Sequence, residues 1–156
     1  MRAGPACQGG SDMTRIGRAI LGGAVGTVLL TSMMYFVAVA MTGHTMDIAG
    51  MLGSMVGGSW VLGMMIHIVN GTLVFPVIYA VIISPRFSGA PWFRGLLWGV
   101  ILWLVGQMAV MPFLGVGFFS AHGGGMRSVV TSLFGHLVYG AALGAVAGGA
   151  GEGLIS

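Results

Sequence analysis

Apolar and polar positions divide this chain into four long runs and the short segments between them. The apolar stretches fall at about 18–41, 59–83, 95–115 and 128–149, and none carries an acidic residue or a lysine. Each is long enough for a helix to cross a hydrocarbon layer of ~30 Å, which takes ~20 residues. Between them stand "TGHTMDIAGMLGSMVGG", "SPRFSGAPWFR" and "GFFSAHGGGMR", where Gly, Pro, Ser and the few charges collect. These are connections, and none is long enough for a domain of its own. Within lipid the backbone must satisfy its own hydrogen bonds, so the runs are read as helices. The pattern predicts an all-α integral membrane protein. Its four-transmembrane-helix bundle covers 18–149, with tails at 1–17 and 150–156.

Glycine spacing suggests how the helices meet. The fourth stretch places Gly140, Gly144 and Gly148 at every fourth position, and His136 is the preceding member of that row. The second stretch has Gly63, His67 and Gly71 at the same spacing, while Gly22 with Gly26 and Gly95 with Gly99 mark the other two. Small residues so spaced let helix backbones approach closely, which drives association in lipid. Ser59 to Gly71 aligns without gaps to Ser128 to Gly140, and "RAILGG" resembles "RGLLWG", so the chain reads as a parallel repeat of two helix pairs.

The rare polar side chains in these stretches are the candidate chemistry. His67 and His136 share rows with glycine and so should face other helices, as the penalty for an unpartnered polar group in hydrocarbon also demands. Counting along the helices at ~1.5 Å per residue brings Gln107, Thr31 and Ser32 to a similar depth, with Asn70 and Tyr139 about one turn further in. Every helix thus contributes to one polar layer.

Composition narrows the class. Of 156 residues, 56% are hydrophobic and 6% charged, against roughly a quarter charged in soluble domains. The basic residues are scattered arginines with no stripe to track phosphates, which argues against nucleic acid. Arg2, Arg15, Arg18, Arg86 and Arg94 fall on one side of the predicted topology and Arg127 on the other. The positive-inside rule then puts both termini in the cytoplasm. "YFVAVAM" at 35–41 resembles a signal-peptidase site, but its apolar run is longer than a usual signal peptide, so the expectation is an uncleaved span. The single Cys7 forms no internal disulfide and is read as a free thiol.

Three readings of the polar layer stay open. It can be hydrogen-bonding glue that fixes helix packing. His67 and His136 can be the axial ligands of a b-type haem in electron transfer. Met41, His44 and Met46, with Met51, Met55, His122 and Met126 nearby, offer soft ligands for binding or transporting copper as Cu(I). Pro76 should kink the second helix or leave a carbonyl free. No nucleophile elbow or phosphate loop is present, so the expectation is a non-enzymatic protein.

With His136, Leu137, Tyr139, Gly140, Leu143 and Gly144 in place, the last stretch fits the pattern His-Leu-x-Tyr-Gly-x-x-Leu-Gly. It resembles the final helix of small uncharacterised four-helix bacterial inner-membrane proteins. That resemblance implies a multi-pass protein of the bacterial cytoplasmic membrane and lends no activity. The expected partners are the lipid bilayer and a larger membrane complex or further copies, with the chain as an accessory subunit.

Overall fold

The computed structural model describes residues 5–148; Arg2 and the predicted tail 150–156 lie outside them. Among the described residues the structure is all-helical. Four helices are long and apolar enough to cross a membrane: Thr14–Thr42, Trp60–Ile83, Pro91–Phe113 and Gly125–Gly148, here called spans 1 to 4. The helix bearing span 1 already starts at Pro5. Large apolar side chains such as Val28, Phe36, Val61 and Phe113 point outward, the arrangement expected of helices in contact with lipid.

Local sequence explains where these helices start and stop. Ser59 accepts a hydrogen bond from the Leu62 N–H at 3.3 Å and caps span 2. Pro91 occupies the first turn of span 3, where its missing donor matters least. Span 1 ends on Gly43 in the left-handed conformation, φ 80°, the usual glycine C-cap.

The first long connection holds an element the sequence pattern does not reveal, a short helix Ile48–Ser54. Asp47 caps it by accepting from the Gly50 N–H at 3.0 Å. The same Oδ1 accepts from Trp60 Nε1 at 3.0 Å and from the Tyr35 hydroxyl at 3.2 Å. One carboxylate therefore ties this helix to spans 1 and 2. It lies at the far end of the bundle, opposite the end where the chain enters and leaves.

Packing is uneven. Span 4 lies along both span 1 and span 3, and span 2 rests on span 1. Span 2 meets span 3 chiefly at Tyr79–Ile83, near the terminal end; towards the far end the two diverge. The two helix pairs of the sequence repeat are thus not arranged alike.

The glycines account for the close contacts. A Cβ on Gly95 or Gly99 would collide with the carbonyl oxygen of Gly140 or His136, and one on Gly144 with that of Pro91. Gly148 lies against the Pro91 ring. Gly22 and Gly26 face Leu143 and Tyr139 of span 4. In span 2, Gly71 abuts Thr27 of span 1, whereas Gly63 abuts Ala49 and Gly53 of the far-end helix. The row through Gly63 thus serves two neighbours, only one of which is a span.

Candidate functional site: an intramembrane cavity

Where spans 2 and 3 part, a cavity of about 450 Å³ remains. Spans 1 and 4 form its back wall. Met51 and Leu52 of the far-end helix cover it from one side and Gly123 and Gly124 of the third connection from another. Its walls are mostly apolar, with Leu30, Phe75, Leu102 and Val110 among them. Such a concavity with a few placed polar groups is the usual form of a small-molecule site.

Several predicted polar residues come together here. His67, Asn70, Gln107, His136 and Tyr139 all line the cavity. Thr31 stands just behind it, its hydroxyl 2.9 Å from His67 Nε2. Ser32 does not join them; its hydroxyl donates to the Val28 carbonyl of its own helix at 2.8 Å.

Each key side chain is held by a specific neighbour. His136 Nδ1 lies 2.8 Å from the carbonyl oxygen of Ser132, one turn earlier. A carbonyl can only accept, so Nδ1 carries the proton in the neutral ring and Nε2 presents a lone pair. Gln107, 2% exposed, accepts at Oε1 from the Ser120 hydroxyl at 3.2 Å. That bond orients the amide and leaves its Nε2 donors without a protein partner among the described residues.

Ser120 reaches Gln107 only because of an unusual backbone. Phe119 and Ser120 are both left-handed, with φ of 50° and 53°, a conformation that costs ~1–2 kcal/mol per non-glycine residue. Sustained strain of this kind marks sites where position matters. Nothing in the sequence signals it.

Span 2 also departs from regular α-helical hydrogen bonding beside the cavity. The helix widens to i→i+5 turns over Asn70–Val74, and the Phe75 N–H bonds the Asn70 carbonyl. In that register the next donor would bond the Gly71 carbonyl, but residue 76 is proline and has none. Tyr139 of span 4 supplies it: its hydroxyl donates to Gly71 O at 2.8 Å. The carbonyl that Pro76 leaves open is thus taken by the Tyr139 hydroxyl, and both Gly71 and Tyr139 line the cavity. Span 3 repeats the device, with a wide turn at Gly106–Val110 and Pro112 at the same offset. Wide turns of this type occur often at functional positions.

The proposed metal and haem ligands fare differently. Met41 lies beside Met126 and Val130 on another face, and its sulfur is 3.7 Å from the Thr131 hydroxyl. His44 is exposed, and Met46 turns into the central cavity. These three are not brought together. Met34, Met51 and Met111 do join Met46 around the cavity. The two histidines face the same space, but a haem ligated through both Nε2 atoms would require His67 to release Thr31. Among the described residues no cluster of three or more His, Cys, Asp or Glu could hold a metal ion.

A family model, described as a family of unknown function (DUF6789), matches residues 13–152. No curated protein and no solved structure matches the chain.

Proposed function

The chain belongs to the DUF6789 family of unknown function, and on that premise we propose that it is a non-enzymatic binding protein of the bacterial cytoplasmic membrane. Its working part is the cavity between spans 2 and 3, which takes up a small, largely apolar molecule. The observation that carries this reading is the pairing of a mostly apolar 450 Å³ space with two lining side chains, Gln107 and His136, each held through one atom while its other nitrogen has no protein partner among the described residues. Packing alone does not account for them. A side chain serving only as glue would bond to another helix, as Tyr139 does to Gly71, whereas the Gln107 amide nitrogen and His136 Nε2 make no such bond among the described residues and belong to side chains that line the cavity.

The arginine distribution supports an orientation with both termini in the cytoplasm, the far-end helix then lying on the opposite face. Reporter fusions after residue 148 and within 54–59 test this; reversed signals would refute it. The cavity reading is tested by isolating the protein in native lipid discs and identifying what travels with it. A Val105→Trp variant, altered at an exposed position (52%) that also lines the cavity, should lose the bound molecule and keep its annular lipid. Identical contents in both samples would refute the site.

One observation favours a second reading. Met34, Met46, Met51 and Met111 bring thioethers to the same cavity as two imidazoles, a soft donor set suited to Cu(I). Titration with Cu(I) against a chelator decides it, since Met34→Leu and Met111→Leu should weaken binding only if the metal is held there.

A further inference from the structure

We infer that the molecule this cavity selects is a neutral hydroquinone, held in preference to its oxidised quinone. The inference rests on the binding reading above and names the class of ligand.

Charge comes first. Among the described residues lining the cavity the only charged group is Asp47, at the far-end rim. Its Oδ1 already takes three donors. No arginine reaches the cavity, so a fatty-acid carboxylate or a phospholipid phosphate would be buried there without a counter-charge. A neutral ligand avoids that penalty.

Polarity comes next. In its neutral form the His136 ring carries its proton on Nδ1, towards Ser132 O, and so offers the cavity an acceptor at Nε2. Gln107, fixed by Ser120 at Oε1, offers a donor through Nε2. The two stand on adjacent packed helices and face the same space. A matching ligand needs one hydroxyl to donate to His136 and one oxygen to accept from Gln107, on a largely apolar body. A hydroquinone carries both. Its oxidised form has carbonyls that can accept from Gln107 but no proton for His136, leaving a buried lone pair facing a carbonyl oxygen. The fixed tautomer therefore discriminates between redox states without taking part in any electron transfer.

The remaining walls suit such a ring. Leu30, Phe75, Leu102 and Val110 supply apolar surface, and the divergence of spans 2 and 3 leaves room for a prenyl tail to pass into the bilayer.

The test uses the full-length protein in phospholipid nanodiscs, titrated anaerobically with a short-chain ubiquinol and separately with the corresponding quinone. The quinol should bind one per protein and at least tenfold more tightly than the quinone. His136→Leu should erase that preference, Gln107→Leu should weaken both forms, and Val105→Trp should block both. Thermal unfolding of each variant in the same discs separates lost binding from lost fold. If His136→Leu fails to fold, the wild-type ratio and Val105→Trp still decide the matter. Equal affinity of the wild type for both redox forms would overturn the inference. So would tight binding of a polyprenol or a fatty acid with no binding of quinol, although the cavity would then remain a lipid site. No bound ligand of any kind would overturn the inference and the binding reading together.

Discussion

Replacing Tyr139 by phenylalanine removes one oxygen from the cavity lining, and its consequence follows from a proline on another helix. The Tyr139 hydroxyl donates to the Gly71 carbonyl at 2.8 Å, and both residues are buried. Interhelical hydrogen bonds in membranes average ~0.6 kcal/mol and reach ~1.7. This one should lie near the upper end, because Pro76 cannot offer the alternative donor and the stranded carbonyl would bear a desolvation penalty of ~1–3 kcal/mol. We therefore expect Tyr139→Phe to destabilise the fold by ~1.5 kcal/mol, more than tenfold in the unfolding equilibrium. The decisive measurement is a double-mutant cycle with Pro76→Ala. Alanine restores an N–H at residue 76, so in that background Tyr139→Phe should cost less than ~0.5 kcal/mol, a coupling of about 1 kcal/mol. Pro76 is fully buried and sits against Gly23, so its truncation also opens a void. That loss is common to both arms and cancels. Reversible unfolding in bicelles gives all four values. An equal cost of Tyr139→Phe in the two backgrounds would refute the assignment of Gly71 O as the carbonyl that Pro76 leaves open.

Further tests address other parts of the molecule. Gly99→Ala sets a Cβ against the His136 carbonyl and should destabilise the span 3–span 4 contact by ~1–3 kcal/mol in the same bicelle assay. Gly17→Ala meets nothing within 4 Å and should be neutral or stabilising by up to ~1 kcal/mol; a matching loss at both sites would contradict the packing account. For the far-end helix, the Gly50 N–H, with Trp60 and Tyr35, holds the Asp47 carboxyl below its ordinary value against the opposing effect of burial. A depressed value means that the clasp is fully present above the unfolded carboxylate range near ~3.9 and is lost as pH falls through the folded value. Trp60 emission, read as the difference from Trp60→Phe, should therefore hold steady from neutral pH to about pH 5 and change only below the ordinary carboxylate range. Asp47→Ala should produce that change at neutral pH, at ~1 kcal/mol for a lost cap, and Asp47→Asn should largely avoid it.

Helices, spans and the inward direction of the histidines were legible because lipid imposes a narrow rule: apolar length and small-residue spacing decide them. The far-end helix was not. Its residues, "IAGMLGS", are too few and too glycine-rich for a periodic signal, and only Asp47 three positions before Gly50 hints at a cap. The depth count brought His67, Gln107 and His136 to one level, and they do line one cavity. It could not separate Thr31 from its neighbour Ser32, since adjacent helical residues share a depth but point about 100° apart; Thr31 reaches His67 and Ser32 turns back to Val28. Ser120 was illegible for a different reason. It reaches Gln107 through two left-handed residues with no glycine between them, and a conformation held against intrinsic preference leaves no trace in composition.

The cavity itself follows from which glycines face one another. Spans 3 and 4 interlock backbone to backbone through Gly95, Gly99, Gly140 and Gly144, and spans 1 and 4 do so through Gly22 and Gly26. Span 2 has spent its two cavity-level glycines elsewhere: Gly71 on Thr27 of span 1 and Gly63 on the far-end helix. No glycine of span 2 is set against one of span 3, and the two meet chiefly at their terminal-end portions. Without a strong hydrophobic drive between helices in lipid, surfaces lacking close backbone approach have little to hold them together. The side chains that would otherwise face a neighbouring helix, Gln107 on span 3 and Asn70 on span 2, are left lining the gap. The polar layer and the space it faces thus have one origin, the unequal distribution of small residues among the four interfaces.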